Sequence, residues 1–241
     1  MAGVSVVDYT HRAEKEKRLA RLIAGLGSRQ KRELLKIMGD PPKMENVDAQ
    51  YWNGALSEWR GLMTPELEEI FVDSAVSMMG EWPGLGVDWG LVNEDAVRWS
   101  QQYGYDLVTG INSTTQRGLR QTMAQSFETP MTQAQLSKKL SRWYGPVRAE
   151  MIAVTETTRA AVEGERAAIK ELAAQGIEMT EIWETAQDEI VHQCPICWPK
   201  QGIAKGVGTG AAYWDESMGP PAHPRCRCNV RHELIMPEDN E

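Results

Sequence analysis

All four cysteines of the chain and three of its four histidines fall between Trp183 and His232. They form two knots, His192-Gln-Cys194-Pro-Ile-Cys197 and His223-Pro-Arg-Cys226-Arg-Cys228, with His232 just beyond. A Cys-x-x-Cys pair lets two thiolates grip one ion from a tight turn. The second knot can close the other side of a tetrahedron, a layout that fits a structural zinc site. Five candidate ligands, Cys194, Cys197, His223, Cys226 and Cys228, compete for four places. Cys226 and Cys228 lie two apart and share a face in an extended segment, with Arg227 on the other, which leaves His223 for a place behind the ligands. His192 and His232 read as surface or supporting residues, and Asp188 either as a hydrogen-bond acceptor for a ligand imidazole or as the start of a turn. Disulfides are the competing use of the cysteines. The segment from Met1 to Arg18 carries no apolar signal region, so a reducing compartment and a metal are expected instead.

The elements that must hold these knots apart and then together are read from period and punctuation. Ile177, Met179, Ile182 and Trp183 suggest one strand, and Asn229 to Met236 a second, so that zinc would staple a small antiparallel sheet too slight to stand alone. Gly202, Gly206, Gly208 and Gly210 make the intervening loop; with no Gly-Lys-Ser/Thr it is not a phosphate-binding P-loop. Before the sheet, Gly145-Pro146 opens what reads as the longest helix, Val147 to about Gln175. Its core stripe is Met151, Ile152, Thr155, Val162, Ile169 and Leu172, and Gly176 ends it.

The rest reads as helices. One stripe (Ala20, Leu22, Ile23, Leu26) is expected to end at Gly25 and Gly27, after which Ser28 caps a short helix that Pro41-Pro42 stops. A helix over Val47 to Leu62 follows. Thr64-Pro65 then starts another with an inward face of Leu67, Ile70, Phe71 and Val76. Glu81 to Gly90 is a loop, and Asn93 caps a helix with Val97, Tyr103 or Tyr105, and Leu107 inward. Ser113-x-x-Gln116 and Thr132-x-x-Gln135 both match the capping box. The fold class is thus mainly α with a small C-terminal α+β module. The expected parts are a helical region over 1–90, a helical half over 91–176, the metal module over 177–236 and an acidic tail over 237–241.

Composition bounds the function. The chain of 241 residues carries 26 Lys and Arg against 34 Asp and Glu, a net charge of −8, so it is no overall electrostatic clamp for nucleic acid. Its N-terminal arm from Asp8 to Ile37 is locally basic, which suits a solvated helix face or a nucleic-acid contact. No apolar run approaches the ~18 residues of a membrane span.

One set of residues resembles a known family. Arg148 and Ile152-Ala153-Val154-Thr155-Glu156 on a long helix are followed by Trp183, Asp188 and Cys194-x-x-Cys197. After a glycine-rich gap comes Pro220-Pro221-Ala222-His223-Pro224-Arg225-Cys226-Arg227-Cys228. The pattern is similar to the phage Mu F-like minor head proteins, also called head morphogenesis proteins, over about Leu91 to Leu234. Val154 stands where that family commonly has Arg. The resemblance implies a minor capsid component of a tailed phage or prophage, found in the procapsid and virion after assembly in the host cytoplasm. Portal protein and other capsid or scaffolding components would be its partners, with DNA a further candidate, and its role would be head assembly and DNA packaging or delivery without enzymatic turnover. Thr155 and Glu156 read either as a polar pair acting with Arg148 or Asp188, or as a surface turn in which Glu156 pairs with Arg159.

Two other classes compete. A nuclease of HNH-like layout needs a His general base beside a separate catalytic metal; His223's place in the zinc knot, the missing Asp-His pair and His232's place on a strand weigh against it. A nucleic-acid-binding module would use the basic arm with Arg225, Arg227 and Arg231 as phosphate contacts.

Overall fold

The computed structural model describes residues 9–128, 131–186, 192–214 and 219–235. Asp188, Met236 and the acidic tail lie outside the described residues. Five α-helices precede the sheet: α1 (Tyr9–Met38), α2 (Ala49–Gly80), α3 (Trp89–Glu128), α4 (Gln133–Tyr144) and α5 (Pro146–Ala174). Two strands follow, β1 (Met179–Glu184) and β2 (Asn229–Leu234), paired antiparallel with Trp183 opposite Val230. The chain is therefore mainly helical with a small C-terminal two-stranded sheet, as its periodicity implied. No helix among the described residues is long and apolar enough to cross a membrane.

The residues divide into two compact units, each assembled from segments distant in sequence. One takes residues 10–67 and 98–153; the other takes 68–97 and 154 onward. In the first, α1 supplies an unbroken buried stripe of Leu19, Ile23, Leu26, Gln30, Leu34 and Met38. The expected break at Gly25 and Gly27 is absent, and Ser28 sits mid-helix rather than at a cap. Gly27 serves packing: a Cβ there would lie 3.0 Å from the Tyr144 carbonyl oxygen, so its absence lets α1 and α4 approach closely. Leu34 and Met38 join Tyr51, Trp52, Leu119, Met123, Leu136, Leu140 and Tyr144 in one core. The one buried amide on the stripe is fully used. Gln30 donates to the Ala55 carbonyl and to Glu58, and accepts from the Trp59 indole at 3.1 Å.

Local signals lost to the tertiary structure at four places. Thr64-Pro65 does not start a helix, because α2 runs through Pro65. An interior proline costs about 3 kcal/mol; the fully buried Met63 and Leu67 on either side offset it by keeping one stripe in register. The α3 cap is Asp88 rather than Asn93, its carboxylate accepting from the Gly90 amide at 2.8 Å. Ser113-x-x-Gln116 lies inside the 40-residue α3, which is longer than the 29-residue α5 expected to be longest. Buried Val108, Ile111, Thr115 and Leu119 carry α3 straight through that motif. Thr132-x-x-Gln135 does form the full capping box at α4. Finally, Val76, Val97 and Tyr105 point to solvent, while Ala75, Met78, Met79 and Ala96 take the inward places.

In the second unit, α5 is the platform. Its interior residues are small, including Ala160, Ala161, Gly164 and Ala168, so neighbours pack close to its backbone. A Cβ at Gly164 would fall 2.0 Å from the Phe71 carbonyl oxygen, which no side chain can satisfy without separating α5 from α2. Gly176, at φ +82, closes α5 as expected. Its amide donates to the Ala173 carbonyl and that of Ile177 to Leu172, both at 3.0 Å, the paired bonds of a Schellman motif. The turn delivers the chain into β1, whose free edge is paired by the glycine loop: Trp183 donates to the Ile203 carbonyl and Gly202 to that of Trp183.

Candidate metal centre

The two knots converge. Cys194 and Cys197 occupy a tight turn in which the Trp198 amide donates to the Cys194 carbonyl at 3.1 Å and the Cys197 amide to the Cys194 sulfur at 3.4 Å. The second knot turns through a bond from the Cys226 amide to the His223 carbonyl at 3.1 Å. All four cysteines are free thiols, so the disulfide alternative is not the arrangement present. Two triads result, Cys194–Cys197–His223 and Cys197–Cys226–Cys228, with Cys197 common to both. Cys197, Cys226 and Cys228 are at most 1% exposed, and they pack with Val162, Trp183, Trp214 and Val230 in a single core. Trp183 and Trp214 meet edge to face at 5.3 Å in that core.

The interatomic separations suit a tetrahedral metal. Thiolate and imidazole ligands at ~2.3 and ~2.05 Å give S···S edges of about 3.8 Å and S···N edges of about 3.5 Å. Cys197 and Cys226 sulfurs lie 3.7 Å apart, and His223 Nε2 lies 3.2 Å from Cys197 and 3.4 Å from Cys194. His223 is thus in direct contact with two sulfurs rather than behind them. Its Nδ1 faces the Pro224 carbonyl at 2.8 Å, a bond that puts the proton on Nδ1 and leaves Nε2 as the donor atom.

Protonation in the cluster follows from crowding of sulfur. Hydrogen bonds with Cys197 and Cys228 hold Cys226 far below the ordinary thiol range. Cys197 is pushed far up, by its bonds to Cys226 and Cys228 and then by burial. At Cys228 the bond with Cys197 lowers the value, but the bond with Cys226, burial and the Cys226 charge outweigh it and push it up to about 12. Burial opposes the charged form of His223, yet the Pro224 carbonyl and the Cys226 and Cys194 charges raise it overall. A cation bound here would take the place of the protons that this crowding holds in the cluster.

The supporting residues differ from those expected. Thr155 accepts a bond from the Arg225 amide at 2.9 Å, while Asp188 lies outside the described residues. Thr158, one turn on and not singled out by sequence, donates to the Cys226 carbonyl at 2.7 Å. Together they grip the backbone of the second knot at Arg225, which adopts the left-handed φ of 64. A Thr-x-x-Thr spacing on one helix face was the available signal. Glu156 is buried and lies 3.7 Å from Arg159, the i,i+3 pairing, although inside rather than on the surface. Arg148 belongs to the other unit, where it donates to Thr115 and to the Trp143 and Ile111 carbonyls. His232 is buried rather than superficial, its Nε2 3.0 Å from Glu165. Arg231 pairs with Glu233, while Arg225 is exposed and Arg227 half-buried.

A second network braces the module. Glu181 on β1 receives Arg166 of α5 at 2.8 Å and Lys205 of the glycine loop at 2.9 Å. Burial opposes its charge, but the two cations win and hold its carboxyl below the usual range. Comparison of the chain with known protein families, characterised proteins and solved structures finds no match.

Proposed function

We propose that the chain is a structural and interaction protein whose C-terminal module is fastened by one zinc ion, and that it serves as a minor head protein of a tailed phage or prophage. The observation that carries the structural-zinc reading is the donor set. It is all thiol and imidazole, offers more protein donors than four places need, and has three of its sulfurs buried in the module core. A catalytic zinc keeps a position open for water or substrate; a structural one is closed by the protein. The zinc joins the glycine loop and its first knot to the second knot and β2, and thereby completes a core that two short strands leave unfinished. The head role rests on the resemblance of the knots and of the long helix to the Mu F-like family. Its supporting point is that the motif residues Thr155, Cys194, Cys197, His223, Cys226 and Cys228 gather around one centre. Portal and procapsid association then follows as the expected activity, with no turnover assigned.

The test has two parts. Metal analysis with native mass on protein purified without added metal should give one zinc per chain, and strong chelation should unfold the module while α1 to α4 keep their helical signal. Absence of metal would overturn the zinc reading. Co-sedimentation with the portal ring encoded beside the gene tests the head role separately. A zinc-loaded protein that never travels with portal or procapsid would remove that role and leave the zinc site standing.

A further inference from the structure

The charge of this chain is segregated in a way its net value of −8 conceals. Along α1 from residue 17 to 36, the exposed positions are Lys17, Arg18, Arg21, Arg29, Arg32 and Lys36, with Leu22, Gly25, Ser28 and one acid, Glu33. At 1.5 Å per residue these cations mark a track about 28 Å long, and at 100° per residue they share the solvent-facing side of the helix between its neighbours α2 and α4. Glu33 falls at the α2 edge of this side, beyond Arg29, where it lines a cleft of about 450 Å³ with Asp48 and Glu58. Helix α4 runs antiparallel against α1: Lys31 donates to Ser141 at 3.0 Å, and Gln133 to the Leu35 carbonyl at 3.0 Å. It extends the track with exposed Lys138, Lys139 and Arg142 and carries no acid. Arg18 and Arg29 also pair with Glu66 and Glu58 of α2, so Lys17, Arg21, Arg32 and Lys36 carry most of the track's charge.

We infer that the α1–α4 face docks the phosphate backbone of duplex nucleic acid without reading its sequence. Rigid rows of Lys and Arg displace counterions from a polyanion and need no base contact to do so. The track has no aromatic residue among its exposed positions on α1, so it offers no stacking platform for single strands. A membrane surface fits less well, because the apolar side of α1 (Leu19, Ile23, Leu26, Leu34) is buried in the core and cannot enter lipid. Gly25 supports close approach. It sits in mid-helix on the track with nothing within 4 Å of where a Cβ would be, so nothing in the chain itself requires a glycine there. This surface is independent of the head-protein reading and differs from the Arg225, Arg227 and Arg231 set near the metal centre.

Fluorescence anisotropy with a 30-base-pair random DNA duplex and the matching RNA duplex, titrated over a sodium chloride series, tests it. Wild-type protein should bind at low salt with a steep salt slope. The combined substitution Arg21→Glu, Arg32→Glu and Lys36→Glu should weaken binding about tenfold or more and flatten the slope by about 3, at roughly 0.9 per lost phosphate contact. The variant should keep its melting temperature and zinc content. A preference for one duplex names the source of the phosphate. The proposal is overturned if neither duplex binds at low salt, or if the triple variant binds like wild type. It is equally overturned if only reversal of Arg225, Arg227 and Arg231 abolishes binding, or if phosphatidylserine vesicles bind and both duplexes do not.

Discussion

Thr158 shows how one hydroxyl can matter to a metal site without touching it. Its bond to the Cys226 carbonyl is buried, and the oxygen it satisfies belongs to the residue whose sulfur is most readily ionised in the cluster. Thr158→Val keeps the shape and removes the donor, leaving that carbonyl unsatisfied at a cost of about 1–3 kcal/mol. Chemical denaturation of the zinc-loaded protein should register the loss, whereas Thr155→Val should cost less because the Arg225 amide lies at an exposed residue that water can reach. The clustering of the Cys and His residues was legible in sequence, since spacing alone groups them into two knots. The grip behind them was not: threonines on a helix are common, and only the fold brings residues 68 positions apart into contact.

At the scale of elements, glycine carries opposite meanings that sequence cannot separate. Both Gly25 and Gly164 lie inside helices, where glycine is about 1 kcal/mol less favourable than alanine. A Cβ at Gly25 would meet open space, so Gly25→Ala should stabilise the protein by up to about 1 kcal/mol. A Cβ at Gly164 would collide with the Phe71 backbone, so Gly164→Ala should destabilise by about 1–3 kcal/mol or more despite its better helix propensity. Thermal melting of the two variants checks the opposed signs. The same ambiguity explains why helix existence was legible and helix extent was not. Stop and start signals at Gly27, Pro65 and Ser113 are local, while the buried stripes that override them are set by partners far along the chain. Thr132 and Gly176 kept their expected roles because no stripe continued past them.

For the molecule as a whole, acid should act through two channels. The Glu181 carboxyl is depressed below its ordinary 4.5, so its contribution is complete above that value and lost as pH falls through the lowered one. Glu181→Gln should therefore cost about 2 kcal/mol at neutral pH, less than a fully buried pair because Arg166 and Lys205 are partly exposed. The gap from wild type should close in acid below pH 4.5, as urea melts across a pH series would show. Protonation of the thiolates should release the metal as pH falls, and zinc content measured alongside separates the two events.

The order of synthesis gives the discontinuous second unit a further consequence. Residues 68–97 leave the ribosome well before the segment from 154 onward that completes their core, and the last metal ligand, Cys228, follows later still. The helical first unit draws on no residue beyond 153, so its whole sequence is available while the rest is being made. The second must wait, its early segment unsheltered, until the closing knot emerges and an ion is at hand. If the proposed zinc site is filled in the cell, zinc supply would set when this unit is completed, and a shortage would leave it unfinished.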